Sequence, residues 1–97
     1  MIVIERNKDS IKIRGHANYA PIGQDIVCAG VSVLIQTLIQ SIETLTADEI
    51  EYSMQPGTVD IKFRCLSDLT KVLIDAFFIG VKGIAEAHPK NVKLTER

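Results

Sequence analysis

The chain of 97 residues has no tryptophan, two cysteines, three prolines and an aromatic share of only 5%, and neither sign of charge dominates, with 11 Lys and Arg against 12 Asp and Glu. Each shortage excludes something. Two cysteines at different kinds of position, one near a helix start and one in a strand, do not make a disulfide framework, which predicts a reduced, cytoplasmic protein. A net charge of -1 gives no electrostatic footprint for a duplex or an anionic membrane surface. The strand lysines and arginines are not interleaved with aromatics as stacking platforms are, so no direct nucleic-acid contact is expected. No uninterrupted apolar run approaches the ~20 residues of a membrane span, and no signal-like segment precedes the first strand, so no membrane association is expected. A metal site built from His16, Cys28, Cys65 and His88 lacks the short separations of structural zinc ligands, and no metal or cofactor is expected.

What the chain has is a 46% hydrophobic share, enough for one core and one domain over residues 1–97. Ile2-Val3-Ile4 reads as a strand, Asn7-Lys8-Asp9 as a turn, and Ser10–Arg14 as a second strand whose Ile11 and Ile13 alternate with Lys12 and Arg14. From an Asp25 cap to about Leu45, Val27, Val31, Leu34, Leu38 and Ile42 recur at helical spacing. Ile26, Val33, Ile35 and Ile39 widen that arc, which predicts cover by a second helix or a second subunit.

A hairpin follows, with Ile50, Tyr52 and Met54 alternating in one arm and Val59, Ile61, Phe63 and Cys65 in the other, which places Cys65 inward. Pro56-Gly57 fits the centre of a type II turn. A second helix starts near Ser67 or Asp68, carries Leu69, Leu73, Phe77, Gly80 and Ile84 on one face, and ends before Pro89. Phe77 and Phe78 read as core or dimer contacts, and Gly80 and Gly83 predict close packing against another backbone. Val92-Lys93-Leu94 closes the chain as a strand. The order ββαββαβ predicts an α+β two-layer sandwich, a mostly antiparallel sheet with both helices on one face.

The chemistry concentrates between Gly15 and Ser32. His16 stands at a strand end, a loop with Pro21 and Gly23 follows, and Cys28 falls in the first turn of the helix. A thiol attacks as thiolate, and a helix N-terminus or a protonated histidine favours that form. Taken alone, such a pair is more often a small core hydrophobe and an ordinary histidine. Strict alternation also turns His16 to the polar face unless a bulge at Gly15, or the strand's end there, redirects it.

Gly15-His16-Ala17 and Asp25-Ile26-Val27-Cys28-Ala29 resemble the signature of the ribosomal-processing cysteine proteases, a bacterial family with a Gly-His-Ala motif followed by Asp-x-Val-Cys-Ala. The similarity extends to Ala76-Phe77-Phe78-Ile79-Gly80 and Asn91-Val92-Lys93-Leu94-Thr95. It implies a homodimeric α/β sandwich that removes the N-terminal extension of large-subunit ribosomal protein twenty-seven, with Cys28 as nucleophile and His16 as its partner. Relatives carried by phages imply an alternative, cutting viral structural proteins. A non-catalytic ribosome-assembly or binding module on the same fold is a further one.

The supporting residues each carry two readings. Asp25 is either the helix cap or the group that orients His16, with the cap favoured because one residue rarely reaches both partners. Ser32, one turn after Cys28, either hydrogen-bonds near the thiol or back-bonds to a helix carbonyl. Tyr19 and Gly23 belong to a loop expected to meet substrate and to move, Tyr19 packing on a substrate side chain or on the helix.

Overall fold

The computed structural model describes residues 1–96. Five strands, β1 (Ile2–Arg6), β2 (Ser10–Arg14), β3 (Ile50–Gln55), β4 (Thr58–Phe63) and β5 (Val92–Glu96), form one sheet, with helices α1 (Ile26–Leu45) and α2 (Asp68–Ala87) between them. The sheet order is β3-β4-β2-β1-β5. Neighbours pair antiparallel except β1 and β5, which run parallel from Ile2 opposite Val92 to Arg6 opposite Glu96. This is the two-layer arrangement the sequence order predicts.

Alternation along the strands sorts the two faces. Ile2, Ile4, Ile11, Ile13, Val59, Ile61, Phe63 and Val92 are buried, whereas Lys12, Arg14, Lys62 and Lys93 are exposed on the other side. Exposed ion pairs Arg14–Asp60 at 2.8 Å and Arg64–Glu51 at 3.0 Å decorate that polar face, each contributing roughly 0–1 kcal/mol.

The helices close the apolar face with Val27, Val31, Ile35, Leu38, Ile39 and Ile42 from α1 and Ile74, Phe77, Phe78 and Val81 from α2. The wide arc of α1 is covered by the sheet on one side and α2 on the other, while Ile26 and Val33 stay exposed. Close approach comes from glycines: a Cβ on Gly80 would sit 3.1 Å from both methyls of Leu34, and one on Gly30 would sit 3.4 Å from Ile84 Cδ1. Gly83, expected in the same role, has nothing within 4 Å of such an atom. By length and composition α1 reaches what a membrane-crossing helix needs, but here it supplies the core.

Three expectations need correction. Cys65 is exposed, because β4 ends at Phe63 and the chain bends there, so alternation does not carry through; Leu66 packs against the core instead. Leu69 is also exposed. The buried stripe of α2 begins one residue later at Thr70, whose hydroxyl contacts Ser67 Oγ at 3.5 Å and Thr46 Oγ1 at 3.4 Å, so burial costs it no hydrogen bond. On β3, Tyr52 and Met54 share the apolar face by register with Ile61 and Val59 but remain about half exposed, as residues of an edge strand beyond the helices.

Candidate active site

The site begins where β2 stops. Gly15 has φ +94°, and a Cβ there would collide with the Met1 carbonyl; only glycine takes that conformation without steric cost. Its N–H donates to the Gly57 carbonyl at 2.9 Å. The strand's end at Gly15 thus turns His16 off the strand, which settles the conflict with strict alternation. The exposed His16 ring reaches the β3–β4 turn, and a Cβ on Gly57 would meet its Nε2 at 2.9 Å.

Ala17 is buried, and both of its backbone groups are occupied. Its N–H points at Cys28 Sγ from 3.4 Å, and its carbonyl accepts Asn91 Nδ2 at 2.9 Å. Asn18 follows with φ 53°, a left-handed conformation that asparagine tolerates. Tyr19 packs edge-on against His88, the C-cap of α2, with centroids 5.1 Å apart.

Asp25 joins the loop to the helix. One carboxylate oxygen accepts the amides of Val27 at 3.0 Å and Cys28 at 2.9 Å. The other accepts those of Tyr19 at 3.0 Å and Ala20 at 3.4 Å. These bonds, that from Cys28 foremost, hold its carboxyl below the usual aspartate value, against an opposing effect of burial. All of these partners are backbone amides, so the geometry is that of the cap and of a loop tie, without a bond to His16.

His16, Cys28 and Ser32 line one pocket of about 250 Å³ between the first half of α1 and the β3–β4 turn, together with Gln36, Met54 and Pro56 among others. No hydrogen bond joins His16 to Cys28 among the described residues. Ser32 is exposed on the pocket wall, and among the described residues its hydroxyl makes neither the bond near the thiol nor the back-bond to a helix carbonyl. Tyr19 and Gly23 are absent from the lining; Gly23 sits at the exposed loop tip with φ +87° and open space around it. Two contributors were not expected at the site: Asn91, read only within the Asn91-Val92-Lys93-Leu94-Thr95 segment, and the Pro56-Gly57 turn, read only as a turn. A larger cleft of about 490 Å³ on the polar sheet face is lined by Lys12, Arg14, Glu51, Ser53, Asp60 and Lys62 among others; neither cysteine nor histidine lines it, so the thiol chemistry belongs to the smaller pocket.

Comparison with known proteins agrees with this fold. The profile of the family described as "Cysteine protease Prp" matches residues 1–93. The ribosomal processing cysteine protease Prp of Mycoplasma genitalium is 26% identical over 99% of this chain and 96% of its own length. The Bacillus subtilis protein of that name is 27% identical over 89% of this chain and 83% of its own length. Among solved structures, the Staphylococcus aureus protease Prp with a covalently linked product peptide superposes with a TM-score of 0.96 at 22% identity, all of both chains being covered. A Streptococcus mutans protein gives a TM-score of 0.82 at 28% identity over 98% of this chain and 90% of its own.

Proposed function

Because the chain belongs to the cysteine protease Prp family, we propose that it removes the N-terminal extension of large-subunit ribosomal protein twenty-seven, with Cys28 as nucleophile and His16 as general base and acid. The observation that carries this reading is the shared pocket, in which Cys28, in the first turn of α1, lies across from the imidazole of His16.

In the proposed reaction His16 takes the thiol proton and Cys28 Sγ bonds to the scissile carbonyl carbon. The C–N bond then breaks, and His16 gives its proton to the leaving amine. Water, deprotonated by His16, splits the thioester and releases the new carboxylate. The oxyanion needs a donor close to sulfur. The amides of Val27 and Cys28 are turned to the Asp25 carboxylate, whereas the Ala17 N–H points at Sγ itself from 3.4 Å and so stands beside the place where the oxyanion forms. Ser32 lines the substrate side of the pocket, and Asp25 supports the reaction by holding loop and helix together. Tyr19 and Gly23 serve the substrate through the loop they belong to.

A cytoplasmic homodimer completes the proposal. On α2, Leu69, Val72, Ala76, Ile79 and Gly83 are exposed at alternating steps of three and four, the spacing of a helix–helix seam. In an antiparallel self-pairing Asp68 comes opposite Lys82 of the partner subunit, a complementary match. The deciding experiment is intact-mass analysis of the extended ribosomal protein incubated with the wild type and with Cys28→Ala. Loss of the extension with the wild type alone supports the assignment. Cleavage by both removes Cys28 from its role. Cleavage by neither, with Cys28 still alkylating at low pH, points to another substrate such as a viral structural protein; without such alkylation it points to a binding module.

A further inference from the structure

We propose that Gly57, at the β3–β4 turn, is a positioning residue for His16, its bare Cα forming the seat on which the imidazole is held at the pocket. The inference rests on the reading of His16 as the base. A Cβ at position 57 would lie 2.9 Å from Nε2, 3.4 Å from Cε1 and 3.6 Å from Cδ2, so the atoms it meets are the tip of the ring. His16 is exposed, and no core packing fixes its rotamer. The turn does, and it is itself tied to the residue before the histidine by the bond from Gly15 N–H to the Gly57 carbonyl at 2.9 Å.

Backbone conformation alone does not explain the glycine. Gly57 has φ +73°, a conformation that asparagine also adopts at modest cost. Asparagine, however, carries the Cβ that the ring excludes. A side chain here displaces the imidazole by several tenths of an ångström or more, and misplacing a catalytic group by about 1 Å can cost on the order of 10²-fold in rate.

The two substitutions Gly57→Ala and Gly57→Asn therefore separate seat from strain. In a Cys65→Ser background, where iodoacetamide reports Cys28 alone, we expect both variants to lose about 10²-fold in kcat on an extended peptide substrate. We also expect both to lose the histidine-dependent limb of the alkylation pH profile, to similar degrees, with cooperative melting retained. An asparagine variant with wild-type kcat and profile overturns the proposal, since only strain would then matter. His16→Ala is measured alongside: if it leaves cleavage and profile unchanged, the base assignment fails; if it abolishes them while the Gly57 variants do not, the seat alone fails. Should neither Gly57 variant fold, a nuclear Overhauser contact between the His16 ring and the Gly57 α-protons in the wild type is expected, and its absence overturns the proposal.

Discussion

The Ala17 amide donates toward Cys28 Sγ from 3.4 Å although the two residues are eleven positions apart, and the same peptide segment is gripped from the other side by Asn91, whose Nδ2 donates to the Ala17 carbonyl at 2.9 Å. The root of the loop is thus fixed at both backbone groups, whereas Ile22 at its tip is fully exposed. The donor that faces the sulfur takes its direction from the Asn91 grip.

Asn91→Ala releases that grip. One neutral hydrogen bond contributes about 1 kcal/mol to folding, so urea unfolding changes modestly. The reacting geometry changes more, and we expect kcat/KM to fall by about tenfold or more. Activity and stability falling in proportion would contradict a role in aiming the Ala17 amide.

Asp25 sets an acid limit. Its carboxyl is held below the ordinary 3.8 by the amides of Cys28, Tyr19, Ala20 and Val27. A folded value below the unfolded one adds stability that is fully present above about pH 4 and is lost as pH falls through the lowered value. Asp25→Asn is expected to melt lower at neutral pH, because its amide NH₂ would face the Tyr19 and Ala20 N–H groups. Its melting temperature should also vary less with pH on the acid side; a slope equal to wild type would argue against Asp25 as the titrating group.

Self-association is expected to run through α2. Ile79 is 74% exposed within the Leu69–Gly83 stripe. Ile79→Asp should yield a folded monomer by sedimentation velocity; a dimer of undiminished affinity would place the interface elsewhere.

The core gives an independent check on the packing. Ile61 is fully buried in β4, between Ile11 on β2 and Tyr52 on β3 by register. Ile61→Ala should destabilise the chain by about 2–5 kcal/mol in urea titrations. A loss below about 1 kcal/mol would mean that the sheet–helix interface is loosely filled.

Much of the fold was legible because local signals agree with tertiary demands. Asp25 and Ser67 cap helices where their side chains predict it, and Pro56-Gly57 turns the second hairpin where it should. The failures lie where tertiary geometry decides. Cys65 follows an alternating run, but nothing local announces that pairing stops at Phe63. Leu69 and Thr70 exchange expected places because Thr46, from the end of α1, offers the threonine a partner. At the candidate site, the motif singles out His16 and Cys28, and the structure brings both to one pocket. The contacts that hold them were not legible, since Asn91 and Gly57 arrive from 74 positions beyond Ala17 and from the far hairpin. Periodicity carries no information about such encounters.

The pairing of β1 with β5 has a consequence for biosynthesis. Ile2 N–H is bonded to the Asn91 carbonyl at 2.8 Å, and the Asn91 side chain fastens the loop root, so both depend on residues translated after every other element. While those residues are still inside the ribosomal tunnel, β1 has an open edge and the peptide before Cys28 is unfastened. Domains fold as their segments emerge, and contacts between distant parts of a chain form slowly. The surroundings of Cys28 are therefore completed only after Asn91 and β5 have emerged, well after Cys28 itself has been translated.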